Sequence, residues 1–280
     1  MSLSGSILLI GGSGGLGQAL NRQLQKYGEK VVAWPRIGLN QSLPEVPDDI
    51  YAVIYAAQSD DVRSECITDD LLWVNAILPS KIAIKCAEKG VNSFVYCSTG
   101  SVYAPSSTDL FETSPQVEPH KSTPYVSSKR DGEKSLIKLA SSIPNIIVIR
   151  PFFLFGIGAR LDRLFSQLLK RIKDRQAINI TQGTGLIFNP CPLTDAASFI
   201  RNQLSSDAGF RIYNVAGAEV SSIFEVSNWL GEAMGKVPIY SGDDEPVSRI
   251  VADVTKMRET GFDWPRSLKN HVTDFAHHYG

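Results

Sequence analysis

The sequence predicts an α/β protein built on a doubly wound parallel sheet of Rossmann type, with a smaller lobe from the C-terminal half. Two observations carry that expectation. Through the first 150 residues, short apolar runs alternate with helical stretches, as strands do when crossover helices cover both faces of their sheet. Directly behind the first run stands a glycine-dense turn, Gly11-Gly12-Ser13-Gly14-Gly15-Leu16-Gly17, which opens into a helix. A strand, a glycine turn and a helix start make an anion cradle, because helix-end N–H groups and the helix dipole favour a phosphate there. The spacing is G-x-x-G-x-x-G, looser than the G-x-G-x-x-G of many dinucleotide sites.

The elements follow in order. Strands are expected at Ser6–Ile10, Lys30–Trp34, Ala52–Ala56, Ser93–Ser98 and Asn145–Arg150, each a short apolar run. Helices are expected at Gly15–Tyr27, Asp69–Lys89 and Pro124–Ser141. Pro79 lies inside the second and predicts a kink, since it lacks an N–H and crowds the preceding turn. Ser122-Thr123-Pro124 is a suitable start for the third, as proline is tolerated at the first helical position. Beyond Arg150 a loop reaches Arg160, and a basic helix runs to about Lys173. Thr181–Pro192, with Gly183, Gly185, Pro190 and Pro192, reads as a long irregular connection. Ser222-Ile223-Phe224-Glu225 matches a capping box opening a helix through Met234, and a last helix is expected over Pro265–His278. The expected division is a dinucleotide-binding domain over 1–155 and a smaller lobe over 156–280, interwoven with the first.

Composition narrows the function classes. With 28 basic and 29 acidic residues the net charge is −1, which argues against nucleic-acid binding through a broad basic field. No apolar stretch approaches the ~20 residues that span a bilayer, so no membrane partner is expected. Met1-Ser2-Leu3 carries no charged n-region, so no export signal is expected either. Cys66, Cys86, Cys97 and Cys191 form no C-x-x-C pair, and His277 and His278 are adjacent and diverge on a helix. The expectation is a cytoplasmic, reduced chain with no metal site.

Tyr125 and Lys129 share a helix face one turn apart. A free tyrosine titrates near ~10, and a neighbouring ammonium favours the phenolate and brings it toward neutral working pH. Alone, a Y-x-x-x-K spacing is met more often by an ordinary amphipathic helix. Here Ser98-Thr99-Gly100-Ser101-Val102-Tyr103 ends the fourth strand, at the edge where a dinucleotide would lie, and offers hydroxyls for a reacting oxygen.

These motifs together resemble the extended short-chain dehydrogenase/reductase family, in its sugar epimerase/dehydratase/reductase branch. Further landmarks are similar to the family's over nearly the whole chain. They are Asp49–Ala57, Asn75, Phe94–Thr99 with Val102-Tyr103, Arg150–Gly156, Arg211–Val215 and Asp253–Lys256. The resemblance implies that Gly11, Gly12, Ser13, Gly14, Leu16 and Gly17 cradle a pyrophosphate, with Ala56, Ala57 and Asn75 also at the cofactor. It implies Tyr125 as acid/base and Lys129 on the nicotinamide ribose. Thr99 would orient the substrate and Ser98 would lie beside the nicotinamide, with Ser101 a lesser substitute for the hydroxyl. Pro151 and Phe152 would lie along that ring. Hydride transfer between nicotinamide and a sugar-like or other small hydroxyl/carbonyl substrate follows, with the second lobe binding that substrate. A homodimer is expected through the helices at Asp69–Lys89 and Pro124–Ser141.

The chain departs from that pattern in places. The second strand ends Trp34-Pro35-Arg36, without the acid that usually meets a ribose 2′-OH about 20 residues past the glycines. Arg36 could face a 2′-phosphate instead, which favours NADP over NAD. Phe153 stands where the family has an asparagine, and Leu186–Asp195 lacks the family's arginine. Both changes remove donors for a diphosphate, which puts a sugar-nucleotide substrate in question. Gly100-Ser101 replaces the Asp-Glu of the dehydratases, so epimerisation or carbonyl reduction is expected rather than loss of water. The same losses leave one other reading, a catalytically silent dinucleotide-binding regulator or scaffold.

Overall fold

A computed structural model describes residues 5–160 and 163–280. Met1–Leu3, read above for an export signal, lie outside the described residues. In chain order the strands are β1 (Ser6–Ile10), β2 (Val31–Trp34), β3 (Ile50–Tyr55), β4 (Ser93–Cys97), β5 (Asn145–Pro151) and β6 (Ile178–Thr181). They continue with β7 (Ile187–Phe188), β8 (Gly209–Val215), β9 (Ser221–Ser222), β10 (Tyr240–Asp243) and β11 (Arg249–Ile250). The α-helices are α1 (Gly15–Lys26), α2 (Asp69–Leu72), α3 (Leu78–Glu88), α4 (Pro124–Ile137) and α5 (Leu164–Lys173). Then come α6 (Leu193–Gln203), α7 (Ile223–Met234), α8 (Thr255–Glu259) and α9 (Leu268–Tyr279).

Six strands form the main sheet in the order β2-β1-β3-β4-β5-β8, and β2-β1, β1-β3, β3-β4 and β4-β5 all pair in parallel. The chain passes from β2 on one side of β1 to β3 on the other. The carboxyl end of β1 is therefore the switch point where such sheets bind ligands. All five expected strands are present. β8 is an addition that its polar opening, Gly209-Phe210-Arg211, concealed. Every residue of β1 and β4 is buried, as a sheet covered on both faces requires.

Two compact units divide the chain by alternating segments. The first takes the chain up to Ala104, then Pro115–Pro151 and Ala197–Tyr213; the second takes Pro105–Ser114, Phe152–Ala196 and Asn214–Gly280. The first packs Leu8, Val53, Tyr55, Phe94, Tyr96 and Val148 into one apolar cluster. The second has its own, in which Phe155 stacks on Phe165 at 4.0 Å. Within it, the stretch expected to be irregular contributes β7, paired with β11 and β9, and the end of β6, paired with β10. Ser222 and Glu225 close the expected capping box on α7, and Gly235 (φ +63) ends that helix in the left-handed region.

The helix expected over Asp69–Lys89 is interrupted by a π turn, Trp73–Ile77, ahead of Pro79. The Leu78 N–H reaches back to the Trp73 carbonyl, which frees the Val74 carbonyl, and Pro79 has no N–H to offer Asn75. Two buried phenols take up these acceptors. Tyr55 donates to the Val74 oxygen at 2.6 Å and Tyr96 to the Asn75 oxygen at 2.5 Å. Burial pushes both phenols above their ordinary range, so both stay protonated donors.

Candidate active site

The glycine turn shows which of its members geometry demands. Gly11 has φ +87, and a Cβ there would lie 2.4 Å from the Ala57 nitrogen. A Cβ on Gly17 would lie 2.1 Å from the Gly11 carbonyl oxygen. These two bring the end of β1, the end of β3 and the start of α1 into close approach. Gly14 is different: it is exposed, and its Cβ would make only an ordinary 3.6 Å contact. As the N-cap of α1 it supplies no side-chain acceptor, so first-turn N–H groups keep their capacity for an outside anion. A bare helix start beside a turn that admits no side chain at Gly11 or Gly17 fits a dinucleotide pyrophosphate. Gly12 meets only the Leu9 side chain, Ser13 is exposed with its carbonyl taken by Gln18, and Leu16 is half-buried.

Tyr125 and Lys129 stand one turn apart on α4, which Thr123 caps through the Val126 N–H and Pro124 opens. Lys129 is 1% exposed. Its Nζ donates to the Cys97 carbonyl at 2.9 Å and to the Ala57 carbonyl at 3.4 Å. The ammonium thus sits at the carboxyl ends of β3 and β4, beside the backbone that Gly11 approaches. Burial lowers its pKa to about 8, with Cys97 and Glu133 opposing the shift. The Tyr125 hydroxyl donates to the Gln58 side-chain oxygen at 3.1 Å.

The three candidate hydroxyls have different surroundings. Ser98 is buried and donates to Glu133 Oε1 at 2.5 Å. Glu133 is also gripped by Arg150, whose Nε and Nη2 reach its two oxygens at 3.0 and 2.6 Å and whose Nη1 donates to the Tyr103 hydroxyl at 2.8 Å. Burial works against the Arg150 charge, but the Glu133 bonds outweigh it and hold the guanidinium above its ordinary value. Thr99 accepts from the Ser101 N–H at 3.2 Å, which leaves its own proton available to a ligand, and Ser101 is exposed.

Asn75 is wholly buried, with its amide tied between neighbours. Its Oδ1 accepts from the Ser59 N–H at 3.3 Å and its Nδ2 donates to Ser128 at 3.0 Å, joining the loop after β3 to α4. Arg36 donates to Asp60 at 2.6 Å and Asp70 at 2.8 Å, and both carboxylates hold its pKa above the ordinary value. Ala56 donates its N–H to the Ile10 carbonyl at 2.8 Å. Pro151 ends β5; Phe152 belongs to the second unit, where its N–H donates to the Val215 carbonyl at 2.9 Å. Phe153 carries φ +42, a backbone state more natural to asparagine, the residue the resemblance leads one to expect there, and packs edge-on to Phe188 at 4.9 Å. Gln58 escaped the sequence reading because a glutamine in a polar loop carries no motif. Its position directly after Ala57 was the one available signal.

Among the described residues, no group of three or more His, Cys, Asp or Glu is placed to hold a metal ion, and no helix is long and apolar enough to cross a membrane. The fold of the chain is that of solved nucleotide-sugar enzymes. The UDP-glucuronic acid 4-epimerase of Bacillus cereus, solved with UDP-glucuronic acid and NAD, superposes with a TM-score of 0.83 at 21% identity, covering 100% of this chain and 98% of that one. The Thermus thermophilus UDP-glucose 4-epimerase with NAD gives 0.77 at 19%, covering 100% and 99%. In sequence, a Bacillus subtilis protein described as an uncharacterized UDP-glucose epimerase is 27% identical over 197 residues, 68% of this chain but 61% of that protein's length. The NAD dependent epimerase/dehydratase family profile matches residues 7–215, three-quarters of the chain and all the motifs of the first unit. The chain therefore belongs to the NAD dependent epimerase/dehydratase family, enzymes of the extended short-chain dehydrogenase/reductase type.

Proposed function

We propose that this protein is an NAD-dependent epimerase acting on a hydroxyl-bearing carbon of a sugar, most simply a UDP-linked hexose. The observation that carries the reading is the placement of Lys129. Its ammonium is fixed to the carbonyls ending β3 and β4, one helical turn from the Tyr125 phenol and next to the glycine turn. NAD, when bound, supplies the hydride acceptor and donor. Tyr125 takes the proton from the substrate hydroxyl and later returns it, Lys129 stabilises the phenolate, and Thr99 orients the reacting oxygen. Gly11, Gly14 and Gly17 would hold the pyrophosphate. The second unit is assigned to the sugar.

NAD takes precedence over NADP in this reading. Arg36, the one residue that argued for a 2′-phosphate, is engaged by Asp60 and Asp70, which that phosphate would have to displace. The fold's likeness to NAD-containing epimerases supports the same choice. Four free thiols suit a reducing, cytoplasmic setting. Exposed Ile77, Ile84 and Ile137 on the helices around the π turn and on α4 support a homodimer.

The test is turnover of UDP-glucose and UDP-glucuronic acid with NAD, followed by proton NMR of the sugar. Epimer formation is expected, falling by at least about 100-fold in Tyr125→Phe. Equal turnover in that variant rejects the assignment.

A further inference from the structure

The phenol of Tyr125 meets an amide from the loop that follows β3. Gln58 follows Ala57 at the end of β3, and its Oε1 accepts the Tyr125 hydroxyl proton at 3.1 Å. The loop that carries it is fixed on both sides. Ser59 is fully buried; its hydroxyl donates to Asp70 at 2.5 Å and accepts from the Asp61 N–H at 3.1 Å. Its own N–H is held by Asn75, whose amide reaches Ser128 on α4. Ser128 in turn donates to the Tyr125 carbonyl at 2.8 Å. Asn75 therefore pins both the loop bearing Gln58 and the helix turn bearing Tyr125.

We propose that Gln58 is a positioning residue for proton transfer at Tyr125, its amide accepting from the phenol and, turned over about its last bond, donating Nε2–H to the phenolate. A primary amide suits this because it carries acceptor and donor on one planar group and no net charge. A carboxylate of the same shape could only accept, and would repel the phenolate. The proton itself passes between the phenol and the substrate oxygen; Gln58 keeps its own protons throughout. The inference rests on the catalytic role given to Tyr125 above.

Of the titratable groups on the elements near the phenol, Tyr96 on β4 interacts with it electrostatically; Lys129 lies one turn on along α4, bonded to the Cys97 carbonyl, with Glu133 one turn beyond, and Asp60 and Asp61 follow Gln58 along the loop. Burial pushes the Cys97 thiol up to about 12 and the Tyr96 phenol higher than its ordinary value. Lys129, near about 8, changes charge in the range of interest. The readout is therefore the phenol's own ultraviolet absorbance rather than a rate alone.

The experiment is a difference titration of NAD-saturated protein, with Tyr125→Phe subtracted to remove the other tyrosines. It compares wild type with Gln58→Met and Gln58→Glu. The Tyr125 midpoint is expected to rise in the Met variant, which loses the donor, and to rise further in the Glu variant, by about one pH unit or more. The Met variant adds no charge and keeps the comparison open if the Glu variant fails to fold. Midpoints equal to wild type overturn the proposal, as does a fall in the Met variant. Full turnover in Tyr125→Phe would sink the catalytic role of the tyrosine while leaving the titration result for Gln58 intact.

Discussion

Lys129 shows what burying one charge at a strand end entails. Its pKa falls from 10.5 to about 8 because the folded state disfavours the ammonium. Between these values the unfolded chain binds more protons, so stability rises with pH across that window; the full cost applies below about 8. Lys129→Met removes the titration. The stability difference between wild type and variant should change by about 3 kcal/mol between pH 7 and pH 10.5, in favour of wild type at high pH. Urea unfolding at the two pH values measures it, and a difference that does not vary with pH contradicts the burial argument. A second expectation belongs to Arg36. Calorimetry should give tighter binding of NAD than of NADP, and Asp60→Asn with Asp70→Asn should narrow that gap at least about tenfold by releasing the guanidinium. At this scale the sequence was informative about Tyr125 and Lys129, whose spacing alone puts them on one helix face. It was silent about Arg36's partners, which lie 24 and 34 residues away, and about Gln58, 67 residues from the phenol it meets.

At the scale of elements, the π turn gives the clearest account of why residues distant in sequence go together. A proline in mid-helix predicts a disturbance but not its form. The form is set by Tyr55 and Tyr96, on two different strands, which satisfy the two carbonyls left over. Gly132 on α4 completes the arrangement. A Cβ there would lie 2.3 Å from the Asn75 oxygen and 2.5 Å from the Tyr96 hydroxyl, so α4 rides directly against the turn. Tyr96→Phe should lower the unfolding free energy by about 1–3 kcal/mol, the cost of a buried carbonyl without a donor. Gly132→Ala should cost a similar amount, about 1–3 kcal/mol, through overpacking. Denaturant midpoints test both; a Tyr96→Phe variant as stable as wild type would mean another donor reaches Asn75. Capping signals were readable because they act over three residues, as on α7 and α4. The short strands β6 and β7 were not, because their partners lie about 35 to 60 residues on and runs of four and two residues have little or no periodicity to detect.

For the whole molecule, the alternation of strand and helix was enough to place five of the six main-sheet strands. β8 lay beyond that reach, since it joins the sheet after a long excursion of the chain through the second unit. Association is the property to test at this scale. Light scattering at micromolar concentration should give twice the 30.6 kDa chain mass. Ile84→Glu with Ile137→Glu should return it to the single mass, and a wild-type monomer would reject the dimer. The interleaving of the units has a practical sequel for anyone who trims this protein. A fragment ending near residue 155 keeps the glycine turn, Tyr125 and Lys129, yet forfeits β8 and the part of α6 from Ala197 on that belongs to the first unit. The flank of β5 would then present an open row of amides and carbonyls, ready to recruit a neighbouring molecule and precipitate. Recovering an intact nucleotide-binding piece would call for splicing residues 197–213 back on, not for a shorter gene.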